Sequence, residues 1–255
     1  MTTKIGVFDS GMGGLTVFEN LVKNIPNCDY IYLADEKNVP YGTKSDDELL
    51  EILKEVIAFF QQKKVDLIVI ACNTASTYID ELKKITRIPL VGMIDITSKE
   101  VLKHRELKKV LLLATNQTVK HHKYDDILTK AGITVRGFAC PNFVTYIEND
   151  YQPKSKYQDE FIQNELLKVK DETYDAVILG CTHFGLVKNS IQKVFKEALI
   201  ISCEEATSCY LKEKIQANDS KKGSIEIYTS GDVENFNRKL KYFKGLPKSS
   251  KRKEN

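Results

Sequence analysis

Short runs of apolar, largely β-branched residues recur along the chain, separated by longer stretches in which apolar positions return every three or four residues. A run that is apolar at every position, rather than alternating, suits a strand buried on both faces. On this pattern strands are expected at Ile5 to Phe8, Tyr30 to Ala34, Leu67 to Ala71, Leu90 to Val91 and Val110 to Ala114. Further strands are expected at Thr134 to Ala139, Ala176 to Leu179, Leu199 to Ile201 and Ile225 to Thr229. Helices fill the gaps. From Asp46 to Lys63, Leu49, Leu50, Leu53, Val56, Ile57 and Phe60 fall at helical steps, and a second helix reads from Tyr157 to Lys170. Strands and helices in alternation point to an α/β fold over parallel sheet.

The strand ends repeat. Val65-Asp66-Leu67-Ile68-Val69-Ile70-Ala71-Cys72-Asn73-Thr74 and Tyr174-Asp175-Ala176-Val177-Ile178-Leu179-Gly180-Cys181-Thr182-His183 share a plan of Asp, apolar run, small residue and cysteine, with the two cysteines 109 positions apart. Asp9, ending the first strand, precedes Cys72 by 63 residues, and Thr115, after the fifth, precedes Cys181 by 66. The expected architecture is therefore two pseudo-symmetric α/β lobes, each a mostly parallel sheet flanked by helices, with the active site between them. The first lobe spans residues 1–92 and is completed by about 204–245; the second spans 93–203; a basic tail, 246–255, is expected to fray in solvent.

Composition narrows the class. The 255 residues are 42% hydrophobic and 29% charged, as in a globular domain, and a net charge of +3 gives no argument for nucleic acid. No apolar run approaches the roughly 18 residues of a membrane span. Met1-Thr2-Thr3-Lys4-Ile5 leads straight into a strand without the apolar core of a signal peptide, so a cytoplasmic location is expected. In that setting the six cysteines are expected to be reduced; none falls in a Cys-x-x-Cys pair, and Cys203 and Cys209 lack neighbouring His at zinc spacing, so no metal site is expected.

In open parallel sheets ligands gather outside the carboxyl ends of strands. Here those ends carry Asp9 and Ser10, Cys72 to Thr74, Thr115 and Thr118, and Cys181 to His183. Hydroxyls, the Asn73 amide and helix-start N–H groups suit a bound carboxylate. Asp9-Ser10-Gly11-Met12-Gly13-Gly14 lacks both the Lys-Ser/Thr ending of a P-loop and dinucleotide glycine spacing; a plain Gly-rich turn is the simpler account of it taken singly. A single cysteine is more often a small buried hydrophobe than a catalyst. Position changes the odds: a thiol at a helix start is expected to have a lowered pKa. Two of them in matching places of facing halves could reach one carbon from opposite sides, one as thiolate and one as thiol. That is what two-base inversion of a stereocentre needs. Asp9 or His183 could relay protons to a sulfur. A satisfied surface histidine is an equal reading of His183, while His104, His121 and His122 read as solvated cationic faces.

Together the motifs resemble the glutamate racemases. The resemblance rests on Asp9-Ser10-Gly11-Met12-Gly13-Gly14, Pro40-Tyr41-Gly42, Ala71-Cys72-Asn73-Thr74-Ala75-Ser76 and Gly180-Cys181-Thr182-His183, in that family's order and spacing. Thr115 and Thr118, Phe143-Val144 with Glu148, and Ser230-Gly231-Asp232 also fit, so it runs from Ile5 to about Phe236. It implies a reaction without cofactor that supplies D-glutamate for peptidoglycan synthesis and cell shape. Cys72 would deprotonate D-glutamate and Cys181 L-glutamate, Asp9 and His183 would assist the nearer sulfur, and Glu148 would lie close to the second cysteine. Ser10, Pro40, Tyr41, Gly42, Asn73, Thr74, Thr115, Thr118 and Thr182 would line the substrate site. A glutamate substrate is the only partner implied, without nucleic acid or membrane; a homodimer is compatible with it. The chain departs from the pattern at Asp35-Glu36-Lys37-Asn38, where many members carry Asp-Ser/Thr-Ala-Arg, and at Phe184-Gly185-Leu186, where Tyr-Pro-Leu is usual. These departures bear on affinity and loop stiffness. Two rival readings remain at this point, racemisation of aspartate or another amino acid and a non-catalytic thiol sensor.

Overall fold

In the structure, a computed structural model that describes residues 2–215 and 222–253, the apolar runs form two sheets in which every pairing is parallel. The first sheet holds β1 (Lys4–Asp9), β2 (Asp29–Ala34), β3 (Leu67–Ile70) and β4 (Leu90–Gly92) in the order β2-β1-β3-β4. The second holds β5 (Lys109–Ala114), β6 (Thr134–Ala139), β7 (Ala176–Gly180) and β8 (Leu199–Ser202) in the order β6-β5-β7-β8. The two orders are the same order. β9 (Ile225–Thr229) then returns to pair with β2, and β10 (Lys251–Arg252) pairs with β9.

Helices cover both faces, as fully apolar strands demand. In chain order they are α1 (Gly14–Asn24), α2 (Asp46–Gln62), α3 (Asn73–Ser76), α4 (Ile79–Leu82), α5 (Met93–Lys103) and α6 (Asn116–Lys120). There follow α7 (Lys123–Leu128), α8 (Pro141–Asn149), α9 (Lys156–Glu165), α10 (Lys188–Val194), α11 (Cys203–Lys214) and α12 (Val233–Leu240). Each has a local cause. Ser45 starts α2 with a reciprocal capping box to Glu48, and the Leu49, Leu53, Val56, Ile57 and Phe60 face is buried. Pro141 at the first turn of α8 takes a position where its missing N–H costs nothing. One buried cluster runs from Val7, Phe18 and Val69 to Leu111 and Val177, so the core is continuous from one sheet to the other.

Two expectations differ from what is found. The tail is not wholly frayed, because Lys251 and Arg252 add a parallel edge strand and Lys253 N–H bonds to the Thr229 carbonyl. The helix expected to run to Lys170 ends at Glu165. Beyond it the Val169 N–H reaches the Leu166 carbonyl, a tighter turn that buries both residues and turns Leu167 outward. Among the described residues no helix is long and apolar enough to cross a membrane.

Candidate active site

In each sheet the strand order reverses beside the central strand, and a crevice opens there at the carboxyl ends. The sequence puts polar residues at these four ends: Asp9 closes β1, Cys72 follows β3, Thr115 follows β5 and Cys181 follows β7. The two crevices meet in one cavity. Ser10, Pro40, Tyr41, Gly42, Cys72, Asn73 and Thr74 line it from the first sheet's side, and Thr115, Val144, Cys181, Thr182 and His183 from the second's. Both thiols thus face the same enclosed space. Asp9, Thr118 and Glu148 stand behind these groups rather than on the wall.

The polar wall is organised by its own hydrogen bonds. Tyr124 donates to Asn73 Oδ1 at 2.7 Å, which fixes the amide and leaves Asn73 Nδ2 buried without a partner among the described residues. Such a donor suits an acceptor oxygen. Thr74, Thr115 and Thr118 bring their hydroxyl oxygens within 2.8–3.3 Å of one another. Thr115 also caps α6 by accepting from the Thr118 N–H. On the other side, the Tyr41 hydroxyl donates to Asp35 at 2.6 Å, and Ser230 donates to the second Asp35 oxygen at 2.6 Å. The Pro40-Tyr41-Gly42 segment, entered through a cis Val39–Pro40 peptide, is thereby tied to the strand end of β9.

Around Cys181 the groups form a chain. Its Sγ lies 3.6 Å from His183 Nδ1, and His183 Nε2 lies 2.6 Å from Glu148 Oε1. The same Glu148 oxygen accepts from the Met12 N–H at 3.0 Å. Burial works against a charged His183, but the Cys181 sulfur and the Glu148 carboxylate outweigh it and hold the imidazole well above its ordinary pKa. Burial likewise opposes the Glu148 anion, yet His183 and Lys239 pull that carboxyl down to about 2. The charged form of the ring facing Cys181 is accordingly favoured.

Cys72 is set differently. Helix-start groups are present, with the Ala75 N–H and the Ser10 side chain aimed at the sulfur, but burial, with the Asp9 charge behind it, pushes the thiol up. The lowering expected for a thiol at a helix start is reversed here, because α3 is one turn long and Cys72, the N-cap before it, is buried. Asp9 itself is raised by burial, against His183 and the hydrogen bonds from Gly11, Thr182 and Gly14. Thr182 donates to Asp9 at 3.0 Å, so a second-sheet hydroxyl closes on a first-sheet carboxylate.

Three contributors were not legible as site residues. Val144 lines the cavity one helical turn before Glu148; the four-residue step between them is the signal that both share a face. Lys239 and Glu36 stand behind Glu148, with Lys239 Nζ 2.5 Å from each carboxylate. Nothing local in α12 or before Pro40 announces that contact, which joins residues 203 and 91 positions apart.

Residues 5–209 match the family model described as Asp/Glu/hydantoin racemase. A protein of Aquifex aeolicus described as glutamate racemase is 36% identical over 243 residues, covering 95% of this chain and 94% of its own. The glutamate racemase of Campylobacter jejuni is 34% identical, covering 95% and 98% respectively. The crystal structure of a glutamate racemase isoform from Bacillus anthracis superposes with a TM-score of 0.92 at 28% identity, over 99% of this chain and 97% of that one.

Proposed function

Since the chain belongs to the Asp/Glu/hydantoin racemase family, we propose that it interconverts L- and D-glutamate by proton transfer between two cysteines at the α carbon. The product D-glutamate serves peptidoglycan synthesis, and we place the reaction in the cytoplasm. The observation that carries the mechanism is the pair of thiols, at matching strand ends of two sheets, on one cavity.

Glutamate enters with its carboxylate towards the unpartnered Asn73 amide and the threonine hydroxyls. With D-glutamate, the Cys72 sulfur, as thiolate, takes the α proton: an S–H bond forms, the C–H bond breaks and its electron pair stays on the α carbon and carboxylate. The Cys181 S–H then delivers a proton to the opposite face, leaving a thiolate against the His183 imidazolium. With L-glutamate the roles reverse. The α proton is weakly acidic, so hydrogen bonds to the carboxylate in a water-poor cavity must stabilise the charge as it develops. Asp9 stands next to Cys72 and His183 next to Cys181 to move each thiol's proton. The proposed lobes are residues 1–92 with 204–245, and 93–203.

Replacing Cys72 or Cys181 with Ala should each lower racemisation of glutamate by ~1,000-fold, within the range general acid–base groups contribute. Circular dichroism of the substrate pool and α-deuterium uptake in heavy water are the readouts. If either variant racemises like the parent, the two-thiol mechanism is wrong; exchange with aspartate in place of glutamate would overturn the substrate.

A further inference from the structure

The relay behind Cys181 does not end at Glu148. Lys239, on α12 beyond β9, reaches Glu148 Oε2 at 2.5 Å and Glu36 Oε1 at 2.5 Å. This is not a surface ion pair: the lysine side chain is 13% exposed, Glu36 6% and Glu148 8%. One cation therefore serves two buried carboxylates, on a path Cys181–His183–Glu148–Lys239–Glu36. The elements come from both sheets' sides, α8 for Glu148 and α12 with the segment after β2 for Lys239 and Glu36.

We propose that Lys239 is a positioning residue for the Cys181 half of the reaction: held between Glu36 and Glu148, it keeps the Glu148 carboxyl aimed at His183 Nε2, and so holds His183 Nδ1 against the Cys181 sulfur. The inference rests on the racemase reading above. Without a cation on its second oxygen, Glu148 would be a buried carboxylate satisfied on one side only, and breaking a buried pair in this way leaves an uncompensated charge. Glu36, one of the departures from the family pattern, supplies the counter-charge that lets a lysine sit there. Burial works against charge on Lys239, but the two carboxylates prevail and hold it charged.

The groups bearing on this network are few. Glu148 faces His183, Lys239, the Met12 N–H and, at longer range, Glu36. Tyr32, bonded through its hydroxyl to the Gly11 carbonyl, feels both Asp9 and Glu148. Glu36 also feels Asp232, His183 bears on Asp9, and Cys181 bears on Cys72, Cys140 and Cys203. Removing a cation from such a set raises the pH at which every member gives up its proton; removing an anion lowers it.

The test uses that opposition. In Lys239→Met the limbs of the pH profile of kcat/KM for glutamate move to higher pH, and kcat/KM at neutral pH drops by about 10-fold or more, as a one-unit shift implies. In Glu36→Gln, which leaves Lys239 wholly on Glu148, the limbs move to lower pH. Lys239→Arg restores the parent profile. Loss of activity in both Met and Arg variants with unmoved limbs would make the lysine merely structural and overturn the proposal; so would an unchanged Lys239→Met profile, or shifts of the same sign in the Lys239→Met and Glu36→Gln variants. Should Lys239→Met fail to fold, the Glu36→Gln shift decides alone. Failure of the racemase reading looks different, because the parent protein itself would then show neither α-deuterium uptake nor enantiomer conversion with glutamate.

Discussion

A buried thiol is a poor base, and the two in this cavity are supported by unlike neighbours. Burial, with the Asp9 carboxylate behind it, pushes Cys72 up, while Cys181 has the His183 ring 3.6 Å away. Unlike surroundings suit a reaction in which one thiol must give a proton as the other takes one. The contact that brings His183 into place is made by a glycine. A Cβ built on Gly13 would lie 2.6 Å from both the backbone nitrogen and Nδ1 of His183, so only a bare Cα lets the first-sheet turn lie against the second-sheet loop. Gly13→Ala is therefore expected to displace His183 and lower kcat/KM by ~100-fold, the scale on which small misplacements act. Steady-state rates beside a thermal melt check it: parent-like turnover would show that the loop yields freely.

At the scale of elements, the central strands were readable because each is a short apolar run bounded by polar turns; those from Thr134 to Ala139 and Ile225 to Thr229, which carry Arg136 and Glu226 among their apolar residues, also stand where they were expected. β10 was not, since Lys251 and Arg252 are charged and are held by backbone pairing at an edge, where charge is tolerated. The end of α9 was missed for a related reason. Leu166 and Val169 continue the helical spacing, and a three-residue step buries them as well as a four-residue one does. Helix starts carry clearer signals. Ser45 accepts from the Glu48 N–H at 3.3 Å while Glu48 reaches back to the Ser45 N–H at 3.1 Å. Ser45→Ala should cost about 1 kcal/mol of folding stability. Urea denaturation reads it directly, and no change in the midpoint would mean that tertiary packing alone fixes the start of α2.

For the molecule as a whole, one strand order used twice explains why the proposed acid–base residues were legible and their support was not. The duplicated sheets deliver Asp9, Cys72, Thr115 and Cys181 to equivalent strand ends, so a spacing comparison finds them. Lys239 comes from the returning segment, which has no counterpart in the second sheet, and its role depends on how the halves dock. That docking is tight. The cavity holds about 20 Å³, room for a water or so and far too little for glutamate. Between the two sheets' sides Gln117 donates to the Lys44 carbonyl, Tyr78 meets His121 at 3.1 Å, and Thr74 meets Thr115 on the cavity wall at 2.8 Å. Each of these contacts pairs a residue before β5 with one after it, so substrate can enter only if the halves separate there. Local opening of this kind is visible in amide exchange. Saturating glutamate should therefore slow exchange together at the turns after β1, β3, β5 and β7, with residues 9–14 and 72–75 protected alongside 115–118 and 181–184. Protection confined to one of the two sets would mean that the ligand sits on a single half, and the shared stereocentre between the two thiols would be lost with it.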